Sequence, residues 1–513
     1  MREKVHSTIY LIGLLTMAFF MPLSIFVTNA AMLMIATNWV VECNFAEKWK
    51  RIKENIGIVI FGALYITHLI WLANTSDFTY AMNDLRIKLP LLALPVIFGT
   101  SKPLSAKKLN LVLLTFVAGV FAASLMGIIA KIIAGNNEFR SLALFISNIR
   151  MSLMLCMSFF IIAYFIVKKI FFTGFAKWIA ILVAIWLLVF MSIIQSITGF
   201  ACLFIGLTTI LIIIAVKTKN KLHRIVCIAL AALIPITISS YIVYAVHDFY
   251  TPTCDNIKLE KTAAGNPYDV VKSDNTIENG NQVWLNICKA ELTQAWAQRS
   301  SIPIDSLDNK GQFIYATLVR YMTSLGLNKD AEGVSKLSDT DVKNIENGET
   351  NYRFANRSHL SCRIYVIIWE IDVYRKTGDC NGHSAIQRIE FLKYGSKLAA
   401  RNLLTGTGTG DVNDEYLNIY EEENSNLMPE YRHRAHNQFL TFLISFGIIG
   451  FIICLTAWFV PAFYKWDTNK FLFGIFFLIA TISMFSDDTL ETTTGTVFVA
   501  FFFSLLKWTT DRK

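Results

Sequence analysis

The sequence predicts an all-α polytopic membrane protein with about twelve transmembrane helices. Three observations lead there. Hydrophobic residues make up 54% of the 513 residues and charged residues only 17%, with a mean hydropathy of +0.47, well above a soluble-globular balance. The 39 phenylalanines and 11 tryptophans have too few charges around them to be covered in water. Apolar runs of ~18–22 residues recur along the chain, long enough to cross the hydrocarbon as helices. With only 10 prolines and 26 glycines, collagen-like and low-complexity classes are excluded.

The first two spans lie within residues 7–43, divided by a turn near Pro22 or at Thr28-Asn29. Residues 55–73 form the third. Residues 87–99 form a short fourth that contains Pro90 and Pro95. Residues 111–133, 151–167, 178–192, 199–216 and 225–246 follow as spans five to nine. Residues 439–460, 471–485 and 494–506 close the series. The N-terminal apolar stretch exceeds a signal-peptide core and a second span follows at once, so it is read as an uncleaved first helix.

Lys and Arg in short loops set the orientation. They cluster at Lys48, Lys50, Arg51 and Lys53; at Lys102, Lys107 and Lys108; and at Lys168, Lys169 and Lys177. Further clusters are Lys217, Lys219, Lys221 and Arg224, then Lys465 with Lys470, then Lys507, Arg512 and Lys513. Each falls after an even-numbered span, which places both termini in the cytoplasm. The net charge of +9 is thus a topology signal and needs no nucleic-acid partner. Three regions are expected: residues 1–246 with spans one to nine, residues 247–437 as a large external loop, and residues 438–513 with the last three spans and a short tail. The loop, roughly 190 residues and mildly acidic, far exceeds an ordinary connection. Periodic apolar residues at 284–296, 311–325, 363–375 and 384–403 mark it as a mainly helical domain.

Of nine cysteines, Cys43, Cys156, Cys202, Cys227 and Cys454 lie in or beside apolar spans, where a small hydrophobe is the expected role. Cys254, Cys288, Cys362 and Cys380 lie in the external loop, and four cysteines allow three pairings. Cys362 and Cys380 enclose a short loop containing Gly378 and are the pair expected if a disulfide forms. No C-x-x-C or H-x-x-x-H spacing suggests a metal.

Thr405-Gly406-Thr407-Gly408-Thr409-Gly410-Asp411 is the one glycine-rich loop. A nucleotide cradle needs a strand before it and a helix after it. Here a helix precedes and acidic sequence follows, so a backbone turn close to a ligand at the membrane surface fits better. No Walker A lysine or Ser-His-Asp pattern accompanies it.

Arg432-His433-Arg434-Ala435-His436-Asn437-Gln438-Phe439-Leu440 stands where the large loop re-enters the membrane, with Gly447 and Gly450 in the span that follows. A helix start favours anions and disfavours an imidazolium. The arginines offer forked donors suited to phosphate. A neutral histidine there can act as a general base. Boundary arginines also anchor helices at headgroups, a plainer role.

His436-Asn437-Gln438-Phe439-Leu440 with Gly447 and Gly450 resembles the H-N-x-x-L … G-x-x-G signature of the O-antigen ligase and polymerase superfamily. Ser384-Ala385-Ile386-Gln387-Arg388 and the Gly406/Gly408/Gly410 turn resemble that family's Ser-…-Arg segment and G-x-G-x-G turn. Twelve spans with a large loop after the ninth also match. The family often carries Ser-Arg-x-Gly at the outer end of span eight, whereas Ser196-Ile197-Thr198-Gly199 stands here. The arginine missing at Ile197 has candidate replacements in Arg150, Arg363 and Arg401, while Arg320 and Arg357 are expected to be solvated surface charges.

The resemblance implies transfer of a glycan from a polyprenyl (undecaprenyl) diphosphate carrier to an acceptor sugar hydroxyl of lipid A-core, on the periplasmic face of a bacterial inner membrane. It implies His436 as catalytic base and Arg388, Arg434, Arg363 and Arg150 as diphosphate-binding residues. Asn437, Gly406, Gly408 and Gly410 would support them. No cofactor, metal or ATP is implied, because the diphosphate is already an activated leaving group. An O-antigen polymerase or protein O-oligosaccharyltransferase would use the same donor. A lipid-linked glycan flippase is a more distant alternative; it should place ionisable residues at mid-membrane, where Lys131 and His68 are scattered exceptions.

Overall fold

The computed structural model describes residues 2–134, 142–271, 275–355, 357–465 and 471–509. Helices dominate. They are α1 (Arg2–Phe20), α2 (Ile25–Glu42), α3 (Phe45–Glu54), α4 (Ile56–Ile70), α5 (Phe78–Lys88), α6 (Pro90–Thr100), α7 (Ala106–Ala134), α8 (Asn148–Val167), α9 (Phe175–Ile193), α10 (Ile197–Lys217) and α11 (Lys221–Tyr250). Then follow α12 (Lys289–Ala297), α13 (Ile314–Ser324), α14 (Ala331–Ser335), α15 (Asp339–Glu346), α16 (His359–Thr377), α17 (Ser384–Arg401), α18 (Val412–Glu422), α19 (Gln438–Phe463), α20 (Phe471–Ser486) and α21 (Thr493–Trp508).

Among the described residues eight helices are long and apolar enough to cross a membrane: α2, α4 with the turn after it, α7, α8, α9, α10, α11 and α19. The other four predicted spans also fall on helices, namely α1, α6, α20 and α21. The fourth is short, with Pro90 in its first turn and Pro95 inside it; a proline without an N–H is tolerated at a helix start and bends the interior. The basic cluster after the second span is itself helical, as the amphipathic α3.

The chain divides into two compact units. The first comprises Met1–Ile210 and Arg388–Lys513, so most of α17, α18 and the glycine-rich turn belong to the same unit as most of the apolar helices. Its core is aromatic: Phe61, Phe98, Phe116, Phe160 and Trp458 are fully buried, and the Phe61 and Phe503 rings lie 4.2 Å apart. Where lipid replaces water, such close packing takes over from the hydrophobic effect in holding helices together.

The second unit, Leu211–Gln387, carries its own core around Leu292, Trp296, Leu318, Tyr321, Met322 and Ile345. The helices expected at 284–296, 311–325 and 363–375 are α12, α13 and α16. A two-stranded hairpin, Ile277–Glu278 with Asn281–Gln282, turns on Asn279 and Gly280, both at positive φ, as a two-residue hairpin loop requires.

Two expectations are corrected in this unit. Arg320 is not a solvated charge: its Nε donates to Oε1 of the fully buried Glu278 at 2.7 Å and its guanidinium stacks 4.0 Å over Trp369. Arg357 pairs with Asp248 at 2.8 Å, as does Arg353. Cys362 and Cys380 are not joined. Most of the chain between them is α16, which at about 1.5 Å per residue carries Thr377 roughly 22 Å from Cys362, and the three residues left to Cys380 are too few to return within disulfide reach.

Candidate active site

The site is built on the entry to α19. Asn437 adopts an extended N-cap conformation (φ −148°, ψ 109°) and its Oδ1 accepts the Leu440 N–H at 3.0 Å. The spacing from Asn437 to Leu440 in the H-N-x-x-L signature is thus a helix cap. Asn437 Nδ2 donates to the Phe485 carbonyl at 3.0 Å, which ties the start of α19 to the end of α20. His436 precedes the cap and lies outside the helix, with φ at 48°. Left-handed backbone is uncommon for a non-glycine residue and concentrates at functional sites.

The connection between α20 and α21 faces His436. Asp487 Oδ1 lies 3.4 Å from His436 Nδ1, an electrostatic contact longer than a good hydrogen bond. Asp487 Oδ2 is ion-paired with Arg150, whose Nη2 also donates to the Asp488 carbonyl at 3.0 Å. Ser147 caps the start of α8 and so fixes the backbone that carries Arg150. Arg150, His436 and Asp487 are therefore brought together, with Asp487 in the middle. The Asp488 carboxyl accepts from Thr441 Oγ1 at 2.8 Å, and burial pushes it above its ordinary value against the opposing pull of Arg434.

Arg434 is anchored on one nitrogen. Its Nη1 donates to Tyr80 Oη at 2.9 Å and to Glu491 Oε2 at 3.2 Å. Burial works against its charge, but Glu491 and the neighbouring Tyr80, Asp488 and Asp84 outweigh it and hold the guanidinium protonated. Its Nε is buried and makes no hydrogen bond among the described residues, a deficit of about 1–3 kcal/mol for a donor left unpaired.

Arg388 lies on α17, half-buried, three residues before Phe391 and on the same helix face. Phe391 packs against His436 with ring centroids 5.6 Å apart, so that face of α17 turns toward the histidine. Arg363 belongs to the second unit, where it donates to Ser384 Oγ at 2.5 Å and pairs with Glu370 at 3.4 Å. Arg401 is paired with Glu422, the last residue of α18, and with Glu423, which caps it. His433 also packs against Phe391, at 5.8 Å, and its ring lies 6.4 Å from that of His436; Tyr420 holds its backbone carbonyl at 2.8 Å.

The glycine-rich turn is threaded between two backbones. Thr407 and Gly408 N–H groups donate to the Ile444 and Ser445 carbonyls, both at 2.9 Å. These carbonyls are free because Gly447 (φ 58°, ψ −168°) breaks the helical path of α19. On the other side Asn74 Nδ2 donates to the Gly406 carbonyl at 3.0 Å, and Asp411 accepts the Ser76 and Asp77 N–H groups. A Cβ on Gly406 would meet the Ser445 carbonyl at 2.4 Å; one on Gly408 would meet Asn74 at 2.0 Å, and one on Gly410 would meet Asp77 at 2.1 Å. The turn fastens the chain ahead of α5 to the kink of α19.

Asp487, Asp488, Glu491, Lys88, Asp84 and Tyr80 are missing from the sequence reading of the site. One signal was available: Asp487, Asp488 and Glu491 are the only charges between Phe471 and Leu506, and charges between two short spans are costly unless they are used. Among the described residues no three His, Cys, Asp or Glu side chains gather to hold a metal.

Apolar helices long enough to cross a membrane, with a histidine–carboxylate–arginine cluster beside a forked arginine at their ends, define the class: a helical multi-pass membrane protein. Residues 339–455 match the family model described as O-antigen ligase, which supports the superfamily that the motifs resemble. The matched stretch carries Arg388, the glycine-rich turn, Arg434, His436, Gly447 and Gly450, but neither Arg150 nor Asp487. No curated protein matches the chain.

Proposed function

We propose that the protein transfers a glycan from a polyprenyl diphosphate carrier to a sugar hydroxyl of lipid A-core at the outer face of a bacterial inner membrane. The observation that carries this reading is the placement of His436 against Asp487, itself pinned by Arg150, beside Arg434. Asp487 orients the ring by taking the proton-bearing Nδ1, which leaves Nε2 as the base. The acceptor hydroxyl oxygen attacks the anomeric carbon while its proton passes to His436 Nε2. The new glycosidic C–O bond forms as the bond from the anomeric carbon to the diphosphate oxygen breaks. Polyprenyl diphosphate leaves with the electron pair, its charge met by Arg388 and the unpaired edge of Arg434. In this reading Arg150 acts on Asp487, and Arg363 acts within its own unit. The glycine-rich turn supports the site by packing. Lipid tails on donor and acceptor account for a site at the end of membrane helices.

Purified protein in lipid nanodiscs should move glycan from a lipid diphosphate to lipid A-core without ATP and in the presence of EDTA. A deletion strain should accumulate unligated lipid-linked chains; single-repeat caps in their place would make the enzyme a polymerase. Reporter fusions should place residue 300 outside and residues 50, 105, 170 and 220 inside. A cytoplasmic signal at residue 300 would overturn the periplasmic assignment.

A further inference from the structure

Glu491 sits in the 3₁₀ turn Thr489–Glu491 that leads into α21, with its side chain only 9% exposed. Three donors, one from the end of α5 and two from the entry to α19, meet at its carboxylate. Oε2 accepts from Lys88 Nζ at 2.8 Å, at the end of α5, and from Arg434 Nη1 at 3.2 Å. Oε1 accepts from Gln438 Nε2 at 3.0 Å, in the first turn of α19. Gln438 Oε1 in turn accepts the Leu490 N–H at 2.7 Å, which closes a ring back to the same turn. Lys88 is fully buried and held from its other side by Asp84.

Arg434 lies in an irregular stretch before the helix cap, with no regular backbone hydrogen bonding to hold it. Its guanidinium is secured through Nη1 alone. The Nε–Nη2 edge makes no hydrogen bond among the described residues, and Nε is buried. That edge is the one that forms two parallel hydrogen bonds to a phosphate or carboxylate. The site therefore carries a forked donor with Nη1 fixed and its Nε–Nη2 edge unpaired.

We propose that Glu491 is a positioning residue that aims the Nε–Nη2 edge of Arg434 at the donor diphosphate, with Lys88 and Gln438 fixing the carboxylate; this rests on the donor assignment above. Burial opposes the charge on Glu491, but Lys88 and Arg434 outweigh it and hold the carboxyl below its ordinary value. The anchor thus stays charged at neutral pH.

The test is a double-mutant cycle in the full-length protein in nanodiscs, with E491Q, R434A and the pair, and with donor and acceptor KM measured separately. E491Q keeps the shape and loses the charge. It should raise the donor KM by roughly tenfold and leave the acceptor KM unchanged, and R434A/E491Q should be no worse than R434A, because a residue acting through another adds nothing once that other is gone. E491D, which keeps the carboxylate, should restore part of the loss. A wild-type donor KM in E491Q, or losses that multiply in the pair, overturns the assignment. If E491Q fails to insert, E491D carries the same cycle, since it withdraws the carboxylate by one methylene. A wild-type protein that transfers nothing from a lipid diphosphate overturns the donor reading itself, and this inference with it.

Discussion

His436 presents Nδ1 to Asp487 Oδ1 at 3.4 Å, while Arg150 holds the other oxygen of the same carboxylate. The three residues come from the entry to α19, the turn after α20 and the first turn of α8. The carboxylate is thus fixed before the imidazole meets it, and the imidazole is set on left-handed backbone outside the helix. Catalytic contacts of this length commonly tighten when substrate binds.

His436→Ala should lose transfer by roughly 100-fold or more, the scale for removing a positioned base. Asp487→Asn keeps the shape but favours the wrong tautomer, and should lower kcat by about 100-fold or more with little change in donor KM. His433→Ala should retain transfer, since His433 touches neither Asp487 nor Arg150 among the described residues. Steady-state kinetics of the three variants checks this. Normal transfer by His436→Ala alongside loss in His433→Ala would move the base by one turn.

Arg388→Ala and Arg434→Ala should each lower transfer by roughly 100-fold or more, to a level still measurable, while leaving expression and insertion intact. Lysine should rescue either poorly, because an ammonium offers a point charge in place of the planar fork. Arg363→Ala should act differently. Its guanidinium bridges Ser384 and Glu370, so its removal should lower Tm before it changes donor KM. Full activity in both Arg388→Ala and Arg434→Ala would leave those arginines as anchors.

Much of this was legible in the sequence, for identifiable reasons. Span positions follow from apolar run length, and all twelve predicted segments are helical. His436 and Arg434 stand next to each other in the chain, so a local motif reveals them. Asp487 and Glu491 come from a distant turn that only tertiary packing brings to the site. The Asn279-Gly280 hairpin has a local signature of its own, short beside the helical periodicity that dominates the rest of the loop. A Cys362–Cys380 bridge conflicts with the helix that periodicity predicts at 363–375. A helix between two cysteines rules out their pairing more firmly than any spacing argument supports it.

The glycine-rich turn makes a prediction about folding. Gly408 has φ at 101°, and a Cβ there would stand 2.0 Å from the Asn74 carbonyl. Gly408→Ala must push the α4–α5 connection away from the α19 kink, at about 1–3 kcal/mol for overpacking, with backbone strain in addition. Folded yield and Tm should fall together. Loss of transfer with an unchanged Tm would instead make the turn a ligand contact.

The last prediction concerns the second unit and pH. Lys329 is buried and donates to the Leu285 and Gln282 carbonyls at 3.0 and 3.4 Å. No carboxylate stands within ion-pair distance of it among the described residues. Burial pushes its ammonium down to about 8, against smaller opposing effects from Cys254 and Asp330. An unfolded lysine titrates near 10.4, so between about 8 and 10 the unfolded chain binds more protons than the folded one. Stability should therefore rise with pH through that window, and the penalty of the buried charge should be fully present below it. Hydrogen-exchange protection of residues 280–330 in the full-length protein, corrected for intrinsic rates, should increase from pH 8 to 9.5. Lys329→Met removes the titrating group and should flatten that rise relative to wild type. Parallel pH slopes in the two proteins would show that Lys329 is not the group responsible.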